Sequence, residues 1–160
     1  MVNFLLVTLH EELNKPNKLG NLLNYDDQTN KKLAFNNFVD CFKTNNLSII
    51  SDLFFASNYN MTQCSNCKVI TYNYQFYFYK FFPLEEIRKF KSRNFSSSIY
   101  NNINYNTVNI YDCFEYDRRI QLMTGENAMY CNFCKKTCDA ELRTCLATGP
   151  EILIIILNRG

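Results

Sequence analysis

The chain has 160 residues, 47% of them hydrophobic, which suits one domain with its own core and is too apolar for a linker or tail. Its 17 Lys and Arg stand against 15 Asp and Glu, a net charge of +2, so no strong field marks a nucleic-acid or membrane-surface partner. No apolar run approaches the roughly 20 residues needed to span a bilayer, and the first residues lack the pattern of a secretory signal. The expectation is an intracellular chain, cytoplasmic or nuclear.

Phe4, Leu5, Leu9 and Leu13 recur at helical spacing, with His10, Glu11 and Glu12 among them, and predict an amphipathic helix that Pro16 ends. Residues 15–30 are polar and read as a surface connection. A second helix is predicted over Lys31 to Phe42 through Leu33, Phe35, Phe38 and Phe42. Ser48 is placed to cap a short helix that delivers Leu53 and Phe54 to the core.

From Lys68 the period changes to alternation. Ile70, Tyr72, Tyr74, Phe76 and Phe78 fall on one face, and Thr71, Asn73 and Gln75 on the other, which predicts a long half-buried strand. Arg88 to Asn106 is rich in Ser, Asn and Lys without a sustained period, so an irregular insertion or loop is expected over 88–106. Val108 to Tyr116 suggests a short strand leading into a helix, and Gly125 marks a turn. Ile152 to Leu157 is apolar at every position, as in a central strand covered on both faces.

The chemistry lies in the cysteines. Cys64-Ser65-Asn66-Cys67 and Cys131-Asn132-Phe133-Cys134 are two Cys-x-x-Cys pairs, each beside a predicted strand. Two intervening residues make a tight knuckle that points both sulfurs at one centre, and two knuckles supply the four thiolates of a tetrahedral zinc site. Disulfides or plain buried thiols are the competing reading, since Cys41, Cys113, Cys138 and Cys145 make other pairings arithmetically possible. An intracellular chain disfavours disulfides, and neither pair has the βαβ context of a thioredoxin-like redox motif. Cys41, Cys113 and Cys145 read as core residues, whereas Cys138 lies close enough to Cys134 to replace a ligand.

The order of these landmarks resembles the ubiquitin-specific protease family across nearly the whole chain. Leu9-His10-Glu11-Glu12-Leu13-Asn14 looks like the helix after that family's Asp-Ala-x-Glu-Phe segment. Asn46 to Phe54 is similar to the stretch before its first zinc knuckle, and Gly125 to Cys134 resembles the second. Pro150-Glu151-Ile152-Leu153-Ile154-Ile155-Ile156-Leu157-Asn158-Arg159 follows the register of its Pro-x-Val-Leu-Ile-x-x-Leu-Lys-Arg-Phe strand, with Asn158 and Gly160 where Lys and Phe are usual.

The resemblance implies an α+β architecture: a helical segment over 1–55, the end of a thumb, then fingers and part of a palm over 56–160. It would be an incomplete papain-like protease domain, with a twisted antiparallel sheet and a four-cysteine, zinc-ribbon-like finger tip. It further implies a structural zinc ion on Cys64, Cys67, Cys131 and Cys134, ubiquitin or ubiquitinated proteins as partners, and a parent activity of thiol-dependent deubiquitination. No residue here matches the family's nucleophile or its general base. His10 stands at a structural position, and no catalytic residue is assigned. A non-catalytic zinc-ribbon module, either a dead homologue or a nucleic-acid binder, is the alternative; the scattered basic residues argue against the latter.

Overall fold

A computed structural model of the chain describes residues 2–15, 28–95 and 107–159. Three helices come first, α1 (Val2–Leu13), α2 (Lys31–Asn45) and α3 (Ile49–Phe54). Strands β1 (Ala56–Cys64), β2 (Ile70–Tyr77) and β3 (Tyr79–Pro83) follow, then helices α4 (Leu84–Phe95) and α5 (Ile110–Asp117). The remainder is β4 (Gln121–Met123), β5 (Met129–Cys131), β6 (Lys136–Cys138), β7 (Ala140–Thr148) and β8 (Ile154–Asn158). The expected α+β class holds, with helices first and an antiparallel sheet after them. Among the described residues no helix is long and apolar enough to cross a membrane.

The main sheet runs β2-β1-β7-β4, antiparallel throughout. Alternation along β2 works as the sequence predicts: Tyr72, Tyr74 and Phe76 turn toward α2, where Ala34, Phe38 and Tyr74 form a buried core. Phe38 stacks on Phe76 with ring centres 4.2 Å apart, and Phe55, Phe76 and Phe78 extend the aromatic packing toward α1. The strand does not continue past Tyr77. A bend at Phe78 sends the chain into β3, which leaves the main sheet and pairs in parallel with β8.

A second core sits beneath that parallel pair. Phe82, Ile87 and Cys113 are buried, and Leu84, Val108 and Phe114 pack around them. The buried Lys80 ammonium meets the Asp117 carboxylate at 2.6 Å, and Lys91 meets Asp112 at 2.7 Å, so both contacts tie α5 to what precedes it. Only Lys80 of these four is buried, so the desolvation that the attraction must offset falls mainly on it, and the two pairs help to fix the position of α5.

Four expectations change. Residues 88–95 belong to a regular helix, α4, because Ile87 anchors one face while Glu85 in the first turn pairs with Lys89 one turn on; 96–106 lie outside the described residues. Among the described residues Val108 and Asn109 form no strand leading into α5, since Asn109 accepts from the Asp112 N–H and Asp112 reciprocates, a capping box that starts the helix at Ile110. The run from Ile152 forms a strand only from Ile154. It has one neighbour among the described residues, so Ile154 and Ile156 are half-buried while Ile155 and Leu157 are exposed. Finally, α1 buries Leu6 and His10 and turns Phe4, Leu5, Leu9 and Leu13 outward, with Phe4 72% exposed. Residues 16–27, most of the predicted surface connection, also lie outside the described residues.

The reason for that orientation of α1 is polar. His10 Nδ1 lies 2.7 Å from Ser48 Oγ, and Nε2 lies 3.0 Å from Asn46 Oδ1. Ser48 Oγ also accepts the Ser51 N–H as the N-cap of α3, as the sequence predicts, although Ile50 and Ser51 rather than Leu53 and Phe54 are the buried members of that helix. Asn46 donates to the Phe42 carbonyl, which leaves its Oδ1 facing the ring and fits the tautomer with its proton on Nε2. One histidine thus joins the end of α2, the cap of α3 and the last turn of α1. Ser48→Ala removes both a cap and a partner of the buried ring, and should lower stability by about 1–2 kcal/mol in urea denaturation. Leu47→Ala, at the exposed neighbour, should stay within about 0.5 kcal/mol. Equal effects would show that this network adds nothing.

Candidate metal centre

Each Cys-x-x-Cys pair occupies the turn of an antiparallel hairpin. In the first, between β1 and β2, the Lys68 N–H donates to the Cys64 carbonyl at 2.9 Å and the Cys64 N–H donates to the Val69 carbonyl at 3.1 Å. In the second, between β5 and β6, the Lys135 N–H donates to the Cys131 carbonyl at 2.8 Å. Lys68 and Lys135, each directly after its second cysteine, adopt left-handed φ values of 59° and 54°. The two turns share one backbone design, built by sequences 67 residues apart, the separation of Cys64 from Cys131.

The β1–β7 pairing brings them together. Cys64 lies opposite Ala140, and the Ser65 N–H donates to the Asp139 carbonyl at 2.9 Å, so the first turn docks on the residue that follows β6. The sulfurs of Cys64 and Cys134 are then 3.9 Å apart, those of Cys67 and Cys131 3.7 Å apart, and all four lie within 4.8 Å of one another. All eight cysteines are free thiols. The four predicted ligands therefore converge, and they can hold a metal ion.

Hydrogen bonds already aim at the sulfurs. Asn66 Nδ2 donates to Cys134 Sγ at 3.2 Å, and the Cys134 N–H donates to Cys131 Sγ at 3.4 Å. The backbone N–H of Cys67, with that of Asn66, lowers the Cys64 thiol to about 6, and the Asn66 amide draws Cys134 down as well. Cys67 goes the other way. The Val69 N–H favours its thiolate, but desolvation and the sulfurs of Cys134, Cys131 and Cys64 outweigh it and push Cys67 up to about 12. Four thiolates in one cluster repel, so the set keeps protons until a cation replaces them.

Cys138 lies at the rim of this cluster. It is buried on β6, and burial together with the sulfurs of Cys64 and Cys134 pushes it up to about 11. Cys113 lies in the second core and is likewise raised by burial, while Cys41 and Cys145 are half-buried. His10, with both ring nitrogens engaged in the α1–α3 network, belongs to the helical end.

The sequence also carried a feature that its motifs alone did not reveal. Thr71, Asn73 and Gln75, the polar half of the β2 alternation, join Asn60 and Thr62 of β1 to line a cleft of about 330 Å³ running to Cys131. Exposed Tyr130 (62%) and Phe133 (55%) stand at its rim, on the second cysteine hairpin. The result is a polar sheet face with an aromatic tip.

Two outcomes follow from this arrangement. Asn66→Ala should weaken metal binding by about tenfold in competition with a chromophoric chelator, because it removes a donor to a ligand sulfur. Unchanged affinity would mean that the amide plays no part. Metal uptake at pH 7 should release the proton held by Cys67, so the binding heat should vary with the ionisation heat of the buffer, and apparent affinity should rise with pH. A scan against models of known protein families and a search among curated proteins each found no match to this chain.

Proposed function

We propose that this chain is the fingers and part of the palm of a ubiquitin-specific protease, clasped by a structural zinc ion and serving to hold ubiquitin. The observation that carries the proposal is the convergence of two Cys-x-x-Cys hairpin turns at one end of an antiparallel sheet, in the chain order of that family. Zinc fits the donor set. Four cysteine sulfurs favour zinc over harder cations, and a tetrahedron with Zn–S bonds of ~2.3 Å has sulfurs about 3.8 Å apart. The separations of 3.7 and 3.9 Å, in a set whose sulfurs all lie within 4.8 Å of one another, support that choice.

Zinc in this position would act by constraint, locking the β1–β2 and β5–β6 hairpins to each other. The polar face of the main sheet, with Tyr130 and Phe133 projecting beside it, is the surface proposed to receive ubiquitin. Aromatic side chains at the rim of a polar concavity are the residue type that most often anchors a protein interface. The parent activity would be thiol-dependent hydrolysis of the bond after ubiquitin's C-terminal glycine, and its nucleophile and general base are assigned to no residue of this chain.

Zinc-loaded protein titrated with ubiquitin should bind at about 100 μM or weaker, since part of a standard interface of roughly 800 Å² per partner leaves little surplus after association costs. Phe133→Ala should weaken that binding by about tenfold. A fluorogenic ubiquitin substrate should not be turned over. Absence of any ubiquitin binding by folded, zinc-loaded protein would refute the partner, and a covalent adduct with a ubiquitin-based thiol probe would refute the binding-only role.

A further inference from the structure

We infer that the four-cysteine centre is also a peroxide-sensitive clasp: free of metal, it closes into two disulfides that cross between the hairpins, Cys64 with Cys134 and Cys67 with Cys131. The inference rests on the convergence of the four sulfurs and holds whichever ion the site takes.

Position sets the pairing. Cys64 Sγ lies 3.9 Å from Cys134 Sγ and Cys67 Sγ lies 3.7 Å from Cys131 Sγ, so each sulfur of the first hairpin faces one of the second. A disulfide brings two sulfurs to about 2.05 Å. The difference is shared by two side chains and by the β5–β6 hairpin, whose ladder has three residue pairs and yields more easily than the main sheet. Closure within a knuckle meets more resistance. The Lys68 N–H bond to the Cys64 carbonyl and the Lys135 N–H bond to the Cys131 carbonyl fix both turns, and the Cys134 N–H holds Cys131 Sγ at 3.4 Å. Each turn joins two strands, so neither pair stands at a helix N-terminus, the setting of a thioredoxin-like Cys-x-x-Cys disulfide.

The reaction needs only hydrogen peroxide. Cys67, Cys131 and Cys134 are half-buried, so the oxidant reaches at least one member of each pair. That sulfur, as thiolate, attacks a peroxide oxygen and becomes a sulfenic acid, with water as the leaving product. The facing thiol then attacks the sulfenic sulfur, forming the disulfide and releasing a second water. Two electrons pass from each sulfur pair to one peroxide. The two states exclude each other, because thiolates hold a cation and disulfide sulfurs do not. The bridges close sequence separations of 70 and 64 residues, so they constrain the unfolded chain far more than a bridge within one knuckle would.

The test treats the whole chain, stripped of metal and reduced, with limiting hydrogen peroxide and maps its disulfides by mass spectrometry of non-reduced peptides. Expected are the Cys64–Cys134 and Cys67–Cys131 bridges, with Cys41, Cys113, Cys138 and Cys145 still open to alkylation. The thermal midpoint should rise about 5–15 °C above that of the reduced, metal-free chain and return with dithiothreitol. Zinc uptake should be lost on oxidation and regained on reduction. Bridges within the knuckles, a mixture of pairings, bonds to any of the other four cysteines, or oxidation that stops at sulfinic acid would each overturn the inference. A chain that forms the crossed bridges but takes up no zinc when reduced would remove the zinc reading and leave this one standing.

Discussion

Antiparallel pairing of β1 with β7 is the contact on which core and metal centre both depend. Its register sets Tyr59 on the face that packs against α2 and Asn60 and Thr62 on the face that lines the cleft. A slip of one residue would exchange those faces, putting amides in the core and tyrosines in the cleft. The same slip would turn Cys64 away from the second hairpin. At the other end, the ladder shifts between Ser57 and Asn58, where Ser57 and Thr148 hydroxyls meet at 2.7 Å and satisfy the buried irregularity. Hydrophobic burial and sulfur geometry therefore select one register together.

The cysteine turns show how local strain and charge are balanced. A non-glycine residue in the left-handed region costs about 1–2 kcal/mol, and glycine at 68 and 135 would avoid it. Lysine stands at both positions instead. Donors from Asn66 and from the Cys67 and Cys134 backbones are aimed at sulfurs of the set, while Cys67 holds its proton until an ion arrives.

Much of this was legible in the residues. The knuckle spacing located all four converging sulfurs, because Cys-x-x-Cys geometry is local and needs no knowledge of the sheet. Ser48 as a cap and the α2 face of β2 were readable for the same reason. Misreadings came where distant partners decide. Composition hid α4, since Ser, Asn and Lys obscure a helix whose buried Ile87 finds Phe82 and Cys113 only in the folded chain. Periodicity turned α1 the wrong way, because the polar attachment of His10 to Ser48 and Asn46, 38 and 36 residues away, outweighs the pull of four apolar side chains. An all-apolar run cannot report how many neighbours a strand has, and among the described residues β8 has one where two were expected.

The parallel pairing of β3 with β8 has a consequence for synthesis in the cell. Tyr79 is opposite Ile154, so on a ribosome β3 emerges 75 residues before the strand that completes it. At ~5–20 residues per second that gap lasts about 4–15 s. Throughout it, Phe81 and Phe82 belong to a strand without its ladder, while β1 and β2, joined by a short turn, can already zip. The nascent chain would therefore acquire its cysteine-bearing hairpin early and carry an open apolar edge late, and that interval is when a chaperone has most to cover.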